Sequence, residues 1–269
     1  MLNKLRSLTY KYAVISSVLI ALAFYVIYDG VGHIFALMPD SLVRDYMYQI
    51  TAMLYPVGIA LIFGFASSYK SEKFFKGLRV GLFLLIFELI ILLAQLLNST
   101  MNESLTWKPW YLIIYGVVMV VGIAVREEAI FRVTIQNILA KRYASSVGGV
   151  WFVAIISAVI FGLIHAFNIF VGVDPVSALI QALVNVCVGM LFSSIYLRCA
   201  NVWVLMLLHA VTDTAGLFNS LFFTNVTIAD DMSGITWQTF ILAAVMLAIA
   251  AFLLRPSKCR EILEQSQNR

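Results

Sequence analysis

Charged residues are scarce in this chain. Of its 269 residues, 62% are hydrophobic and only 12% are charged, whereas about a quarter of the residues of a soluble domain are charged. Apolar runs of roughly 18 to 25 residues recur along the whole sequence, and each is long enough to cross a hydrocarbon core about 30 Å thick as a helix. The shortage of charge therefore argues against an ordinary soluble domain and predicts a membrane protein.

Cysteine is also rare. The three cysteines are Cys187, Cys199 and Cys259, and none has the short paired spacing of a zinc knuckle or a redox motif. The net charge of +4 does not indicate a nucleic-acid partner, because the basic residues lie between the apolar runs, where membrane topology explains them. These absences leave the lipid bilayer as the environment that the composition predicts.

The apolar runs predict an all-α, polytopic protein of about eight transmembrane helices. The predicted spans are residues 13–37, 49–68, 77–97, 111–140, 147–170, 176–198, 201–222 and 238–254. No internal repeat, low-complexity tract or long linker divides the sequence. We therefore expect residues 1–269 to form a single integral-membrane domain with a motif core at 120–215, and the compact chain without an organelle signal favours a bacterial plasma membrane.

The loops predict which side of the membrane each connection occupies, since Lys and Arg concentrate in cytoplasmic loops. An N-in, C-in arrangement leaves only Arg44 and Lys108 outside. The fourteen basic residues that it places inside are Lys4, Arg6, Lys11, Lys70, Lys73, Lys76, Arg79, Lys141, Arg142, Arg198, Arg255, Lys258, Arg260 and Arg269. This strong asymmetry predicts that both termini are cytoplasmic.

Four charges lie inside the fourth predicted span, at Arg126, Glu127, Glu128 and Arg132. An ionisable residue at membrane depth costs at least a few kcal/mol on insertion scales, so each needs a partner or a function. Glu128 and Arg132 are four residues apart with the glutamate first, which is the favourable order for a helical ion pair. Glu127 points about 100° away around the helix and is free to face another group.

Two histidines lie in later spans, His165 in the fifth and His209 in the seventh. His209 and Asp213 are four apart, so they share a helix face and can address one metal ion or one water molecule. Counted from the cytoplasmic ends of their spans, Glu127, His165 and His209 lie at depths of about 21, 27 and 12 Å. Their convergence on one site is therefore a prediction that spacing alone does not support.

A structural role is the alternative for each of these residues, because a lone intramembrane His or Glu often only makes an interior hydrogen bond. The whole set, with two carboxylates, a paired arginine and two histidines, favours acid–base or metal chemistry. Two other features are expected to be structural: Asp29 and His33 are four apart near the outer end of the first span, and Glu88 stands alone in the third, where we expect it to face an interior partner.

Three motifs, Glu127-Glu128-x-x-x-Arg132, Phe161-x-x-x-His165 and His209-x-x-x-Asp213, occur in this order. Together they resemble the CPBP family, which contains CAAX proteases and the Abi-type bacteriocin-processing or immunity enzymes. The resemblance covers the fourth to seventh spans, and the eight-helix layout is similar to that of CAAX endopeptidases. The remaining spans carry no signature of the family.

The resemblance implies an intramembrane metalloprotease or glutamate-dependent endopeptidase, with its catalytic residues at the three motifs. Glu127 would activate the attacking water, and His165 would lie close to that water or to a metal. His209 and Asp213 would bind the metal or stabilise the oxyanion. The ligand types of His165, His209 and Asp213 favour Zn²⁺, although a water activated by glutamate without a metal is the other route. In eukaryotic members Asn often stands at the position of Asp213.

We therefore expect an endopeptidase that cleaves a peptide or a membrane-associated protein at a site open to the cytoplasm. Bacteriocin immunity, leader-peptide removal and signalling-peptide maturation are its candidate roles, and neither the natural substrate nor the oligomeric state follows from the sequence. Two alternatives stay open: a non-catalytic membrane partner or immunity protein that regulates a sensor or exporter, and a proton-coupled transporter. The lack of an inverted repeat weighs against the transporter.

Overall fold

The computed structural model describes residues 2–102 and 104–267. In this part of the chain the structure is helical, and the only strand-like pairing is an isolated antiparallel bridge between Trp107 and Phe223. The α-helices are α1 (Leu2–Lys11), α2 (Ala13–Ala36), α3 (Leu42–Ile62), α4 (Phe74–Thr100), α5 (Trp110–Glu128), α6 (Asn137–Tyr143), α7 (Val147–Ile164), α8 (Pro175–Cys199), α9 (Val202–Gly216), α10 (Phe218–Phe222), α11 (Ile228–Ser233), α12 (Trp237–Leu253) and α13 (Pro256–Gln267). Short 3-10 helices cover Ala66–Tyr69 and His165–Val171, and a π-helix covers Ala129–Gln136.

Every predicted span falls on a helix, but not every helix is long and apolar enough to cross a membrane by itself. Among the described residues four helices meet that requirement: α2, α4, α8 and the combined helix at residues 147–171. A fifth candidate is the pair α12 and α13, which is bent by 59°. The chain is thus an all-α, multi-pass membrane protein, and eight as the number of crossings stays a prediction.

Loops that the sequence assigns to the cytoplasm lie together at one end of the helical bundle. Lys141 Nζ lies 3.2 Å from Tyr10 Oη, and Asn201 donates through Nδ2 to the Lys70 carbonyl at 2.9 Å. Arg198 forms an ion pair of 3.7 Å with Glu261. These contacts join α1 to α6, the connection after α3 to the connection after α8, and the end of α8 to α13, and the N-in, C-in topology stays a prediction.

The fourth predicted span is one continuous helical segment in which the π-helix separates α5 from α6. All eight residues of the π-helix are buried, and the Thr134 hydroxyl donates to the Ala129 carbonyl five residues earlier, at 2.9 Å. Such wide turns are rare and often occur at functional sites. The core of the protein therefore forms around the segment that follows Glu127 and Glu128.

Close packing of α7 on α8 completes the surroundings of this segment. A Cβ atom at Gly162 would lie 2.6 Å from the Ala182 carbonyl oxygen and 2.5 Å from the Val186 nitrogen. Only glycine fits at such a distance from a neighbouring backbone, as small residues do at interfaces between membrane helices. Gly162 therefore lets α7 bring Phe161 and His165 towards the buried charges.

Candidate active site

Glu128 lies at the centre of a buried charged cluster. Its Oε1 accepts a hydrogen bond of 2.8 Å from His209 Nδ1, and its Oε2 lies 3.3 Å from Arg132 Nε. Neither Glu128 nor Arg132 is exposed. The helical ion pair expected from the spacing of Glu128 and Arg132 is present, and in addition it orients a histidine from α9.

The Arg132 guanidinium is held mainly by aromatic rings. Its Cζ atom lies 4.5 Å from the centroid of the Phe161 ring and 5.7 Å from that of Phe192. None of its three nitrogens has a hydrogen-bond partner among the described residues, although Nε lies at ion-pair distance from Glu128. A cation against ring faces is stabilised by their quadrupoles, so the two phenylalanines and Glu128 together offset the cost of burying this charge.

Glu127 and Asp213 lie on the other side of the same histidine. His209 Nε2 is 3.8 Å from Glu127 Oε2 and 3.6 Å from Asp213 Oδ2. Both oxygens are buried and have no hydrogen-bond partner among the described residues, yet the side chains keep 15% and 22% of their surface exposed. These two oxygens are therefore available to accept protons from a water molecule or a substrate that enters beside His209.

His165 lies where α7 gives way to the 3-10 helix, and it approaches the cluster less closely than predicted. Its Nδ1 donates to the Phe161 carbonyl at 2.9 Å, so Nε2 is the nitrogen that can contact another group. The ring of Phe161 stands between the two histidines, with its centroid 4.9 Å from that of His165 and 6.1 Å from that of His209. Within the described residues no carboxylate reaches ion-pair distance of His165, so the structure brings five of the six predicted site residues into one network and attaches the sixth through a phenylalanine.

The metal predicted at His165, His209 and Asp213 requires donors that converge at about 2.0 to 2.2 Å on one point. In residues 2–102 and 104–267 no group of three or more His, Cys, Asp or Glu side chains is arranged to hold a metal ion. The donor types suit zinc, but their present arrangement does not form a ligand set.

Two further polar features have the partners expected of them. The Thr212 hydroxyl donates to Glu88 Oε1 at 3.3 Å, and Glu88 is only 3% exposed. Glu88 thus contacts α9 next to Asp213, at the edge of the charged cluster. Asp29 and His33 form an exposed pair with a separation of 3.3 Å, as their spacing predicted.

Sequence reasoning did not foresee the contribution of two residues, Phe192 and Arg126. Phe192 lines the site, with its ring centroid 5.3 Å from that of His209, and nothing in the apolar pattern of α8 distinguishes it from neighbouring core residues. The sequence placed Arg126 in the fourth span but gave no indication of its function. Both belong to the site through tertiary contacts.

Comparison with known families agrees with this geometry. Residues 108–215 match the family described as "type II CAAX prenyl endopeptidase Rce1-like". This region is similar to that family. All six predicted site residues, from Glu127 to Asp213, lie within the match, which confirms the recognition made from the three motifs. No curated protein and no solved structure was found to match the chain.

The Rce1-like segment runs from just before α5 to the end of α9. It comprises the π-helix, α7, α8 and α9, which are the elements that carry the charged cluster. The similarity thus points to a protease embedded in a membrane. Helices α1 to α4 and α10 to α13 lie outside the match.

Proposed function

We propose that this protein is an intramembrane endopeptidase in which Glu127 activates the water that attacks a peptide bond. One observation carries the proposal: two unbonded buried oxygens, on Glu127 and Asp213, flank the Nε2 atom of His209. A general base needs an acceptor that is held in position and still open to the reacting water. Glu127 meets this requirement because its side chain keeps 15% of its surface exposed, while Glu128 has no exposed side-chain surface and lies between His209 and Arg132.

In the proposed reaction Glu127 takes one proton from water, and the resulting hydroxide attacks the carbonyl carbon of the scissile bond. The carbon becomes tetrahedral and its oxygen becomes an oxyanion. When the C–N bond breaks, Glu127 returns the proton to the leaving amine, so that the carboxylate is regenerated and one water is consumed. The products are a carboxylic acid and an amine, as hydrolysis of an amide requires.

Donors are needed where negative charge develops on the carbonyl oxygen. His209 is suited to this role in its doubly protonated form, in which Nδ1 donates to Glu128 and Nε2 carries the proton that is donated to the oxyanion. His165 would hold the attacking water through its Nε2, and Asp213 would assist His209. Arg132 acts through Glu128 and is a positioning residue.

The substrate class follows from the family and the setting. The matched family is named for endopeptidases of prenylated CAAX proteins, and a membrane-embedded site suits a peptide or a protein that is itself held at the bilayer. We therefore extend the proposal to a lipid-anchored or membrane-associated peptide that enters from the cytoplasmic side. A role in a bacterial plasma membrane, in peptide maturation or bacteriocin immunity, belongs to the same proposal.

The test is hydrolysis of a farnesylated, internally quenched peptide ending in a Cys-aliphatic-aliphatic-X sequence, by purified protein in proteoliposomes. Glu127→Gln should lower the rate about 100- to 10,000-fold, the usual contribution of a general base. Glu72→Gln is the matched control, because Glu72 is an exposed glutamate near Lys70, and it should leave the rate unchanged. Equal rates for wild type and Glu127→Gln would instead favour the non-catalytic partner role.

The same assay tests the predicted zinc. If His165, His209 and Asp213 hold Zn²⁺ during catalysis, a strong chelator should abolish cleavage, Zn²⁺ should restore it, and elemental analysis should find about one ion per chain. The ion should also disappear from His165→Ala. Full activity in chelator, from protein that contains no transition metal, would leave Glu127 and the two histidines as the whole catalytic machinery.

A further inference from the structure

A second buried arginine, Arg126, lies beside the site without a carboxylate partner. It is 6% exposed. Its Nη1 donates to Gln49 Oε1 and its Nη2 to Tyr28 Oη, each at 3.3 Å. The guanidinium also lies over the Tyr28 ring, 4.5 Å from the centroid. In the described part of the chain no carboxylate reaches ion-pair distance of Arg126, so all its partners are neutral.

Arg132 is the other arginine that is buried in the described residues, and unlike Arg126 it has an anionic partner. Arg132 pairs with Glu128, Arg198 with Glu261 and Arg44 with Asp45. A guanidinium in an apolar interior carries a large desolvation cost, and hydrogen bonds to an amide and a phenol offset only part of it. Arg126 is therefore the arginine in the described structure where a negative charge from outside would be most strongly stabilised.

The neighbours of Arg126 add neutral donors to its charge. The guanidinium has five N–H groups, and its two hydrogen bonds engage two of them. Tyr28 accepts from Arg126 and Tyr115 accepts from Gln49 Nε2 at 3.5 Å, and the hydroxyls of Tyr28 and Tyr48 also form a hydrogen bond with each other. Tyr28 and Tyr48, whose ring centroids are 5.7 Å apart, come from α2 and α3 and are only half-buried.

We propose that Arg126 and Tyr28 bind a carboxylate of the peptide substrate. This inference rests on the proposed function, because it concerns how the same site selects what it cleaves. Arg126 directly precedes Glu127, with their Cα atoms about 3.8 Å apart, so a group held at Arg126 lies within a few residues of the bond that Glu127 would attack. A planar guanidinium binds a carboxylate through two parallel hydrogen bonds, which fixes the direction of the peptide as well as its position.

A carboxylate on a peptide comes either from its C-terminus or from an acidic side chain. The experiment separates the two with three forms of one farnesylated peptide: a free C-terminal acid, a C-terminal amide, and a free acid in which one internal Gln is replaced by Glu. Binding is measured on the Glu127→Gln protein in nanodiscs, so that no cleavage occurs and the result does not depend on turnover.

The free acid should bind at least tenfold more tightly than the amide, a difference of about 1.4 kcal/mol. Adding Arg126→Gln should bring this ratio close to one, and Tyr28→Phe, which keeps the ring and removes the hydroxyl, should reduce it partly. Arg44→Gln is the matched control, since Arg44 is an arginine paired with Asp40 and Asp45 on α3, and it should keep the ratio of the parent protein. If Arg126→Gln does not fold, Arg126→Lys, which keeps the charge and loses the planar fork, should show a reduced ratio.

A merely structural Arg126 would weaken binding of the acid and the amide equally and leave their ratio unchanged, and that result overturns the proposal. Equal affinities of all three peptides for the parent protein, or no binding of any of them, overturn it too. If only the internal Glu strengthens binding, the proposal is supported, and the carboxylate that Arg126 binds comes from an acidic side chain. Failure of the proposed function has a different signature: wild-type protein would not cleave the peptide at all, whatever the binding ratio is.

Discussion

At the scale of single residues, two consecutive glutamates of the site differ in burial and in their partners. Glu128 is fully buried and has both oxygens engaged, one with His209 and one with Arg132. Glu127 keeps 15% of its side-chain surface exposed, and its buried Oε2 accepts no hydrogen bond from the described residues. The inner carboxylate is therefore suited to orient the histidine, and the outer one is suited to react.

The Glu128–Arg132 pair leads to a prediction about stability. Arg132→Ala should destabilise the protein by roughly 3 to 5 kcal/mol, because breaking a buried ion pair leaves an uncompensated charge. The double variant Glu128→Gln with Arg132→Gln removes both charges and should be milder. Thermal unfolding in detergent measures the three proteins side by side. A double variant that is less stable than Arg132→Ala would show that the interior does not depend on charge compensation at this position.

At the scale of elements, the π-helix and the contact between α7 and α8 decide which side chains meet. Glu128 and Arg132 lie on either side of the start of the π-helix, so their pairing extends across the change from one helical pitch to another. On α7, Phe161 and His165 reach the cluster because Gly162 lets the helix approach the backbone of α8. The geometry of the site is thus set by close contacts between helices.

Gly162 on α7 provides a test of this packing. Gly162→Ala places a methyl group within 2.6 Å of the Ala182 carbonyl oxygen, so α7 and α8 must separate, at a cost of about 1 to 3 kcal/mol. Gly148→Ala on the same helix is the control, because no atom lies within 4 Å of its Cβ position, and it should be neutral or slightly stabilising. Melting temperatures and peptide cleavage of both variants check the prediction. Equal stability of the two alanine variants would contradict a tight α7–α8 contact.

At the scale of the whole molecule, the basic loops lie at one end of the helical bundle, and this asymmetry bears on the orientation in the membrane. Connections rich in Lys and Arg contact one another at one end of the bundle, as Lys141 does with Tyr10 and Arg198 with Glu261. The other end carries the Trp107–Phe223 bridge and the hydrogen bond from Gln181 to the Met232 carbonyl. A bilayer placed across this bundle would have the basic end in the cytoplasm.

Reporter fusions test this orientation. Fusions after Lys73, Arg142 and Arg198 should report the cytoplasm, and fusions after Asp174 and Asp231 should report the exterior, because two predicted spans separate Lys73 from Arg142 and one span separates each later site from the site before it. A signal from the exterior at Arg142 would remove one crossing from the count of eight. The same set of fusions in Glu127→Gln should give an identical pattern, since that substitution changes no loop charge.

The sequence by itself determined that the chain is a helical membrane protein and where its helices lie, and it predicted which residues carry the chemistry. Apolar run length, loop charge and the i, i+4 spacings of Glu128 with Arg132 and of His209 with Asp213 are local properties, and they hold whatever the neighbouring helices do. Only the tertiary structure decided that Glu128 bonds to His209, that Phe161 stands between the two histidines and that Arg126 has neutral partners from α2 and α3. These contacts depend on how deep each helix sits and how it is rotated. Helix packing sets both, and depths counted along separate spans gave different values for Glu127 and His209 although the two side chains meet at 3.8 Å.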